Sequence, residues 1–220
     1  GLPESPSVLL PCCVHGEKFM MGAEPRREKR ARMGLQDRFV ILYLGTLSVW
    51  QWPEAMFALF SRLYRESEDS FFYMLLPHAD HERAEGLFQE QRIPPGSFLI
   101  EEKTHKEVGS FIGVADAGLL LRKAHPVNYV SSPTKFGEYL AAGVPVIATR
   151  GIGDVTEIIE QRRAGLIVDM EGEGISASDE KRLRAFIKDV GLHRRKWSEK
   201  CRRISSELLD WEKMGGLLKQ

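Results

Sequence analysis

Along most of the chain, short apolar runs alternate with stretches whose apolar positions recur at helical spacing. Residues 38–44 read as a first strand ending at Gly45. Residues 53–66 read as a helix with Met56, Leu59, Phe60 and Leu63 on one face. Strands follow at 71–76, 97–101 and 115–121, separated by helices at 79–91 and 104–112, the second capped by Thr104. After a loop to Ser132 comes a helix whose first position is Pro133 and whose apolar stripe is Phe136, Tyr139 and Leu140. Gly143 ends it, and 144–149 is a short buried strand. Ser178 is placed to cap a helix over 179–190, with Leu183, Phe186, Ile187 and Val190 aligned. A last long helix puts Trp197, Cys201, Ile204, Leu208 and Trp211 on one stripe, which reads as core.

Repeated strand–helix units predict an α/β fold: a Rossmann-like, doubly wound parallel sheet with helices on both faces. Ligands of such sheets bind beyond the carboxyl ends of the strands. Gly45 with Thr46, residues 101–105, Arg122 with Lys123, and residues 131–138 all follow strands, so they gather at one rim. No internal repeat or low-complexity linker interrupts the pattern.

Residues 131–149 carry the most chemistry. A hydroxyl-rich helix start with Ser132 as cap and Lys135 in its first turn is a ready phosphate site. Glu138, three residues on and on the same face, can accept hydrogen bonds from a ribose diol. Phosphate plus diol points to a nucleotide. A plainer account fits the same residues: Lys135 and Glu138 as an exposed ion pair worth under about 1 kcal/mol, and Ser132 as a cap only. Spacing alone leaves both open.

Composition narrows the class without changing the picture. The chain has 220 residues, 43% of them hydrophobic, enough for one good core or two small ones. Lys plus Arg equals Asp plus Glu at 31 each, so no overall field favours nucleic acid. No apolar run approaches the ~20 residues of a membrane span, and no secretory signal is visible, although the chain opens at Gly1. Cys12, Cys13 and Cys201 form neither a disulfide framework nor a metal-ligand spacing, which fits a reducing cytosol. His78, His81, His105 and His125 show no ligand spacing, and no metal site is expected.

The ordered motifs resemble group 1 glycosyltransferases of the GT-B fold, mostly retaining enzymes. In that family a helix reading E-A-L/M-A-A/S-G precedes P-V-I/V-A-T/S; here Glu138, Tyr139, Leu140, Ala141, Ala142 and Gly143 precede Val144-Pro145-Val146-Ile147-Ala148-Thr149. The run from Gly151 to Glu160 is similar to the family's next turn and helix, and Ala164-Gly165-Leu166-Ile167-Val168 to its following strand. Val8-Leu9-Leu10-Pro11 looks like the strand entering the second domain, and Leu209-Asp210-Trp211-Glu212 like the terminal helix. One departure stands out. An earlier family glutamate, eight positions before the match to Glu138 and close to the donor sugar, is Val130 here; Pro133-Thr134-Lys135 resembles a P-S/T-K variant loop.

The resemblance implies a donor domain for a nucleotide diphosphate sugar, with no separate cofactor and an unknown acceptor. It divides the chain into an interdomain crossover with a helical segment (1–37), a nucleotide-sugar-binding Rossmann-like domain (38–190), and a C-terminal helix returning toward an N-terminal acceptor domain that is missing here (191–220). In this reading Ser131, Ser132, Thr134 and Lys135 hold the diphosphate, helped by Arg122; Glu138 takes the ribose; Gly45 and Thr46 let the backbone approach a phosphate or the acceptor. Glu101 through Thr104 flank the base. Arg122 also fits a surface arginine, and Gly45-Thr46 a plain turn. Asp154 and Glu157 read as a capping box, and the basic run 26–32 as a solvated helix face or a peripheral contact with anionic lipid. Two rivals stay open: a non-hydrolysing nucleotide-sugar epimerase domain and a non-catalytic α/β interaction module.

Overall fold

The computed structural model describes residues 11–172 and 174–217. Of the expected entering strand, Val8, Leu9 and Leu10 therefore lie outside the described residues. Six strands form one parallel sheet: β1 (Phe39–Leu44), β2 (Ser70–Leu75), β3 (Phe98–Glu101), β4 (Ala117–Leu120), β5 (Val146–Thr149) and β6 (Gly165–Val168). Their order is β3-β2-β1-β4-β5-β6. β2, β4 and β5 are buried at every position, which is why they read as unbroken apolar runs rather than alternating ones. The order reverses direction between β1 and β4, and that topological switch point is where a crevice opens. A two-stranded hairpin, β7 (Met170–Glu171) with β8 (Gly174–Ile175), lies outside the sheet and was not expected.

Helices α1 (Ala23–Arg32), α2 (Pro53–Glu66), α3 (His81–Glu90), α4 (His105–Ile112), α5 (Pro126–Tyr129), α6 (Thr134–Ala141), α7 (Val155–Arg162), α8 (Ala177–Leu192), α9 (Arg194–Leu208) and α10 (Trp211–Leu217) surround it. Three expectations need correction. Ser176, not Ser178, caps α8, its Oγ accepting from the Asp179 amide at 3.2 Å. The single last helix is two. The chain near Val14 pairs at the break: Val14 N donates to Leu209 O at 2.8 Å and Trp211 N to Val14 O at 3.1 Å. Asp210 then starts α10, its Oδ1 accepting from Glu212 N and Lys213 N, and Trp211 is left exposed rather than in the core.

The third correction is the basic run, which is not simply a solvated face. Arg26 and Arg30 of α1 turn inward onto Asp116, just ahead of β4. Asp116 accepts from Arg26 at 2.6 Å, Arg30 at 2.9 Å and the Val40 amide at 2.9 Å, while Arg194 of α9 stands 3.6 Å away. Arg30 also donates to the carbonyls of Val114, Leu35 and Arg38. Asp116 thus ties α1 and α9 to the amino-terminal ends of β1 and β4, opposite the crevice. Removing one member of a buried pair leaves the others uncompensated, at a cost of about 3–5 kcal/mol. Asp116→Ala is expected to lower the unfolding free energy by about that amount in urea titrations; a loss under about 1 kcal/mol would show the cluster to be dispensable.

Candidate functional site

The site is built around α6. Residues 135–141 are all buried, so this helix has no solvated side. Tyr139 seats it on the sheet. Its ring lies where a Cβ on Gly118 of β4 would come within 2.7 Å, so only glycine fits there. Its hydroxyl accepts from Leu44 N at 3.1 Å and donates to Leu42 O at 3.3 Å, joining the helix to β1.

One turn earlier, Lys135 reaches the end of β1. Its Nζ donates to Gln51 Oε1 at 3.2 Å, stands 4.6 Å from the centre of the Tyr43 ring, and would lie 2.7 Å from a Cβ on Gly45. Gly45 has φ +135°, a conformation that favours glycine, and its lack of a side chain leaves room for the amine. Tyr43 folds the turn by donating its hydroxyl to Thr46 O at 2.6 Å, and burial pushes that phenol's pKa upward. Lys135 is 8% exposed and makes no ion pair among the described residues. Burial, reinforced by the charge of Arg122, pulls its pKa down to about 7.

Arg122, directly past β4, is the second cation. Its Nη1 donates to Asn128 Oδ1 at 3.1 Å and Ser131 Oγ at 3.3 Å, and its Nε is buried without a partner. Desolvation lowers its pKa as well. Glu138 is 9% exposed and has its pKa raised by burial, opposed by the charges of His105 and Lys135. Lys135 and Glu138 are therefore not an exposed pair; both are buried at the switch-point crevice. A buried and a half-buried cation side by side, neither in a salt bridge among the described residues, offer a place for an anion.

No family model matches the sequence, and no curated protein matches it. Solved structures match in fold. HepE from Anabaena, crystallised in complex with UDP and glucose, superposes with a TM-score of 0.70 at 12% identity, over 94% of this chain and 54% of its own. A glycosyltransferase from Rickettsia africae gives 0.72 at 16% identity over the same shares of each chain, 94% and 54%. The C-terminal domain of the group 1 glycosyl transferase LpcC from Francisella tularensis gives 0.69 at 14% identity, over 90% of this chain and 98% of that one. The fold is that of the C-terminal half of a GT-B glycosyltransferase. The chain spans about half the length of the HepE and Rickettsia structures.

Within this GT-B half, the remaining predicted site residues fall into two groups. Ser131 belongs with the cations through Arg122. Thr134 opens α6 and is exposed. Ser132 does not cap it: the helix starts later, Pro133 occupies the cap position without a side-chain acceptor, and Ser132 Oγ instead donates to Asp154 Oδ2 at 3.2 Å and accepts from Cys12 N at 2.9 Å. Thr46 enters through its carbonyl. Thr104 caps α4, its hydroxyl committed to Glu107 at 2.6 Å, in a capping box beside His105. Asp154 and Glu157 form no capping box; Asp154 holds Ser132, and Thr156 Oγ1 accepts the Gly151 amide at 3.0 Å. A cavity of about 690 Å³ is lined by Tyr129, Val130, Ser131, Ser132, Asp154 and Ile158 among others, and by none of Gly45, Lys135 or Glu138. Among the described residues no group of three or more His, Cys, Asp or Glu could hold a metal. Gln51, Tyr43 and Asn128 were missed, because their roles arise from side chains that meet only once distant loops converge.

The buried lysine has a thermodynamic signature. Its folded pKa lies below the unfolded value, so the unfolded chain binds more protons between about 7 and 10.5, and stability rises with pH across that window. The slope from this group is at most about 1.4 kcal/mol per pH unit. Lys135→Met should therefore stabilise the ligand-free domain most below pH 7, with the gain fading toward pH 10. Thermal melts across that range check it; a destabilised variant at pH 6.5 would contradict an uncompensated charge.

Proposed function

We propose that this domain binds a nucleotide diphosphate sugar as the donor for glycosyl transfer. The observation that carries the reading is the buried Lys135 with the half-buried Arg122, neither in a salt bridge among the described residues, beside the start of α6 at the switch point. A pyrophosphate supplies the missing charge, restores Lys135 to its protonated form and meets the amino-terminal end of the α6 dipole. The same cations stabilise the nucleoside diphosphate as it leaves. Glu138, a turn deeper, accepts from the ribose hydroxyls, with His105 close by. Ser131 orients Arg122, and Gly45 leaves the phosphates room. Backbone groups of residues 101–104 face the base. HepE was crystallised with UDP and with UDP-glucose, which supports a donor of this class and makes uridine diphosphate the first probe.

The proposal includes a partner half. HepE and the Rickettsia enzyme are each about twice as long, and Val127, Tyr129 and Val130 are exposed on the rim where a facing domain would close the crevice. Acceptor binding, transfer and retention of anomeric configuration belong to that larger protein; retention rests on the family resemblance alone. No helix among the described residues is long and apolar enough to cross a membrane. We place the protein in the cytoplasm, in polysaccharide biosynthesis; any membrane contact would be peripheral and without the inward-turned Arg26 and Arg30.

A thermal-shift screen with UDP, GDP, dTDP and ADP and their sugars, followed by calorimetry, tests the reading. One diphosphate is expected to stabilise the domain. Glu138→Ala should weaken its binding by roughly 1–3 kcal/mol, as for a lost charged hydrogen-bond partner. Protection by none of the probes would favour the interaction module; catalytic carboxylates in the partner half and interconversion of sugars would favour the epimerase.

A further inference from the structure

The turn between β1 and α2 holds a tryptophan in the left-handed region directly before a proline. Three described non-glycine residues have positive φ: Trp52, Arg92 and Arg163. Arg92 follows the end of α3 and Arg163 ends α7, places where a left-handed residue closes a helix. Trp52, at φ 52° and ψ 57°, likewise closes a short 3₁₀ turn over Val49–Gln51, but it also directly precedes Pro53 at the start of α2, and a following proline disfavours helical backbone. Strain of this kind persists where surrounding contacts over-determine it, and it concentrates at ligand sites.

The neighbours of Trp52 show what the turn holds in place. Gln51 accepts from Lys135 Nζ at 3.2 Å, which fixes the turn to the anion site. Trp50, the next residue back, packs its ring 4.5 Å from His125 and so bridges to the loop that follows β4. His125 is itself held, its Nδ1 accepting from Val127 N at 3.2 Å. Trp50 is nonetheless 42% exposed. A large aromatic ring is thus supported from behind, open in front, and fixed one residue from the group that meets the diphosphate. Lys135 links this group to Glu138, which occupies the ribose side.

We propose that Trp50, backed by His125, is the sugar-facing wall of the donor site, a specificity residue that stacks on the apolar C–H face of a pyranose carried by the diphosphate. This rests on the nucleotide-sugar reading above. The sugar is bonded directly to the second phosphate, so it must lie next to the cations, and an aromatic face is the surface that accepts a ring with polar edges and apolar faces.

Calorimetry with UDP and UDP-glucose, or with whichever diphosphate the screen selects and its hexose conjugate, tests the assignment on wild type, Trp50→Ala and Trp50→Phe. Trp50→Ala should leave the diphosphate affinity within about twofold and weaken the nucleotide sugar about fivefold, the scale of one aromatic contact. Trp50→Phe should retain most of the difference. Melting curves matching the wild type establish that the fold is kept; if Trp50→Ala melts early, the Phe variant and His125→Ala, expected to lose part of the sugar increment, carry the test. Equal loss for diphosphate and nucleotide sugar, or no loss for either, overturns the proposal. If wild type binds the diphosphate and the sugar adds nothing, the donor reading stands and this inference falls. If wild type binds no probe, the reading beneath it falls, and the inference with it.

Discussion

The depth at which α6 sits against the sheet decides everything else at the crevice. Tyr139 sets that depth. Its ring needs the missing side chain of Gly118, and its hydroxyl joins the backbone on both sides of the last turn of β1. With the helix seated there, Lys135 reaches the end of β1, where another glycine has left room for its amine. Glycines at 45 and 118 therefore serve one purpose, the close approach of a helix to two strand ends. A methyl group at 118 would meet the Tyr139 ring and lift α6, and one at 45 would push the lysine amine aside.

The two ends of the sheet differ in how charge is handled. At the amino-terminal end one buried carboxylate, Asp116, is met by three arginines, and Arg30 spends its remaining donors on backbone carbonyls. Charge there is paired and locks α1 and α9 in place. At the carboxyl end, among the described residues, Lys135 has an amide and an aromatic ring but no salt bridge, and Arg122 donates only to the uncharged side chains of Asn128 and Ser131. Burying charge without compensation is expensive, and folded proteins rarely tolerate it where nothing is to be bound. The contrast sets the candidate site apart from the structural cluster without reference to any relative.

Much of this was legible in the sequence. The central strands carry continuous apolar runs because both faces are covered, so five of the six sheet strands could be read from the chain itself, the sixth through the family resemblance, and the β7–β8 hairpin not at all. Gly45 after β1, and Lys135 and Glu138 on one face of a helix ahead of Val144-Pro145-Val146, marked the crevice for the same reason: local spacing and strand-end position are properties of the chain itself. What could not be read depended on distant contacts. A basic run looks solvated until Asp116, far away in sequence, draws Arg26 and Arg30 inward. The last helix looks continuous until Val14 takes the hydrogen bonds at Leu209 and Trp211. Ser132 looks like a cap until Asp154 claims its hydroxyl.

Gln51 marks the limit of such reading. It lies between two tryptophans in a turn with no motif of its own, and only the fold brings its carbonyl oxygen to Lys135. Yet the residues around it bear a local sign. A tryptophan directly before a proline that starts a helix would relax into an extended conformation if nothing opposed it. Trp52 instead takes the left-handed conformation that ends the short 3₁₀ turn over Val49–Gln51. The packing that holds it also fixes Gln51 on the lysine and Trp50 on His125. Strain in the turn and unpaired charge in the crevice thus meet at Lys135, and both are costs that the free domain bears and a bound anion would offset.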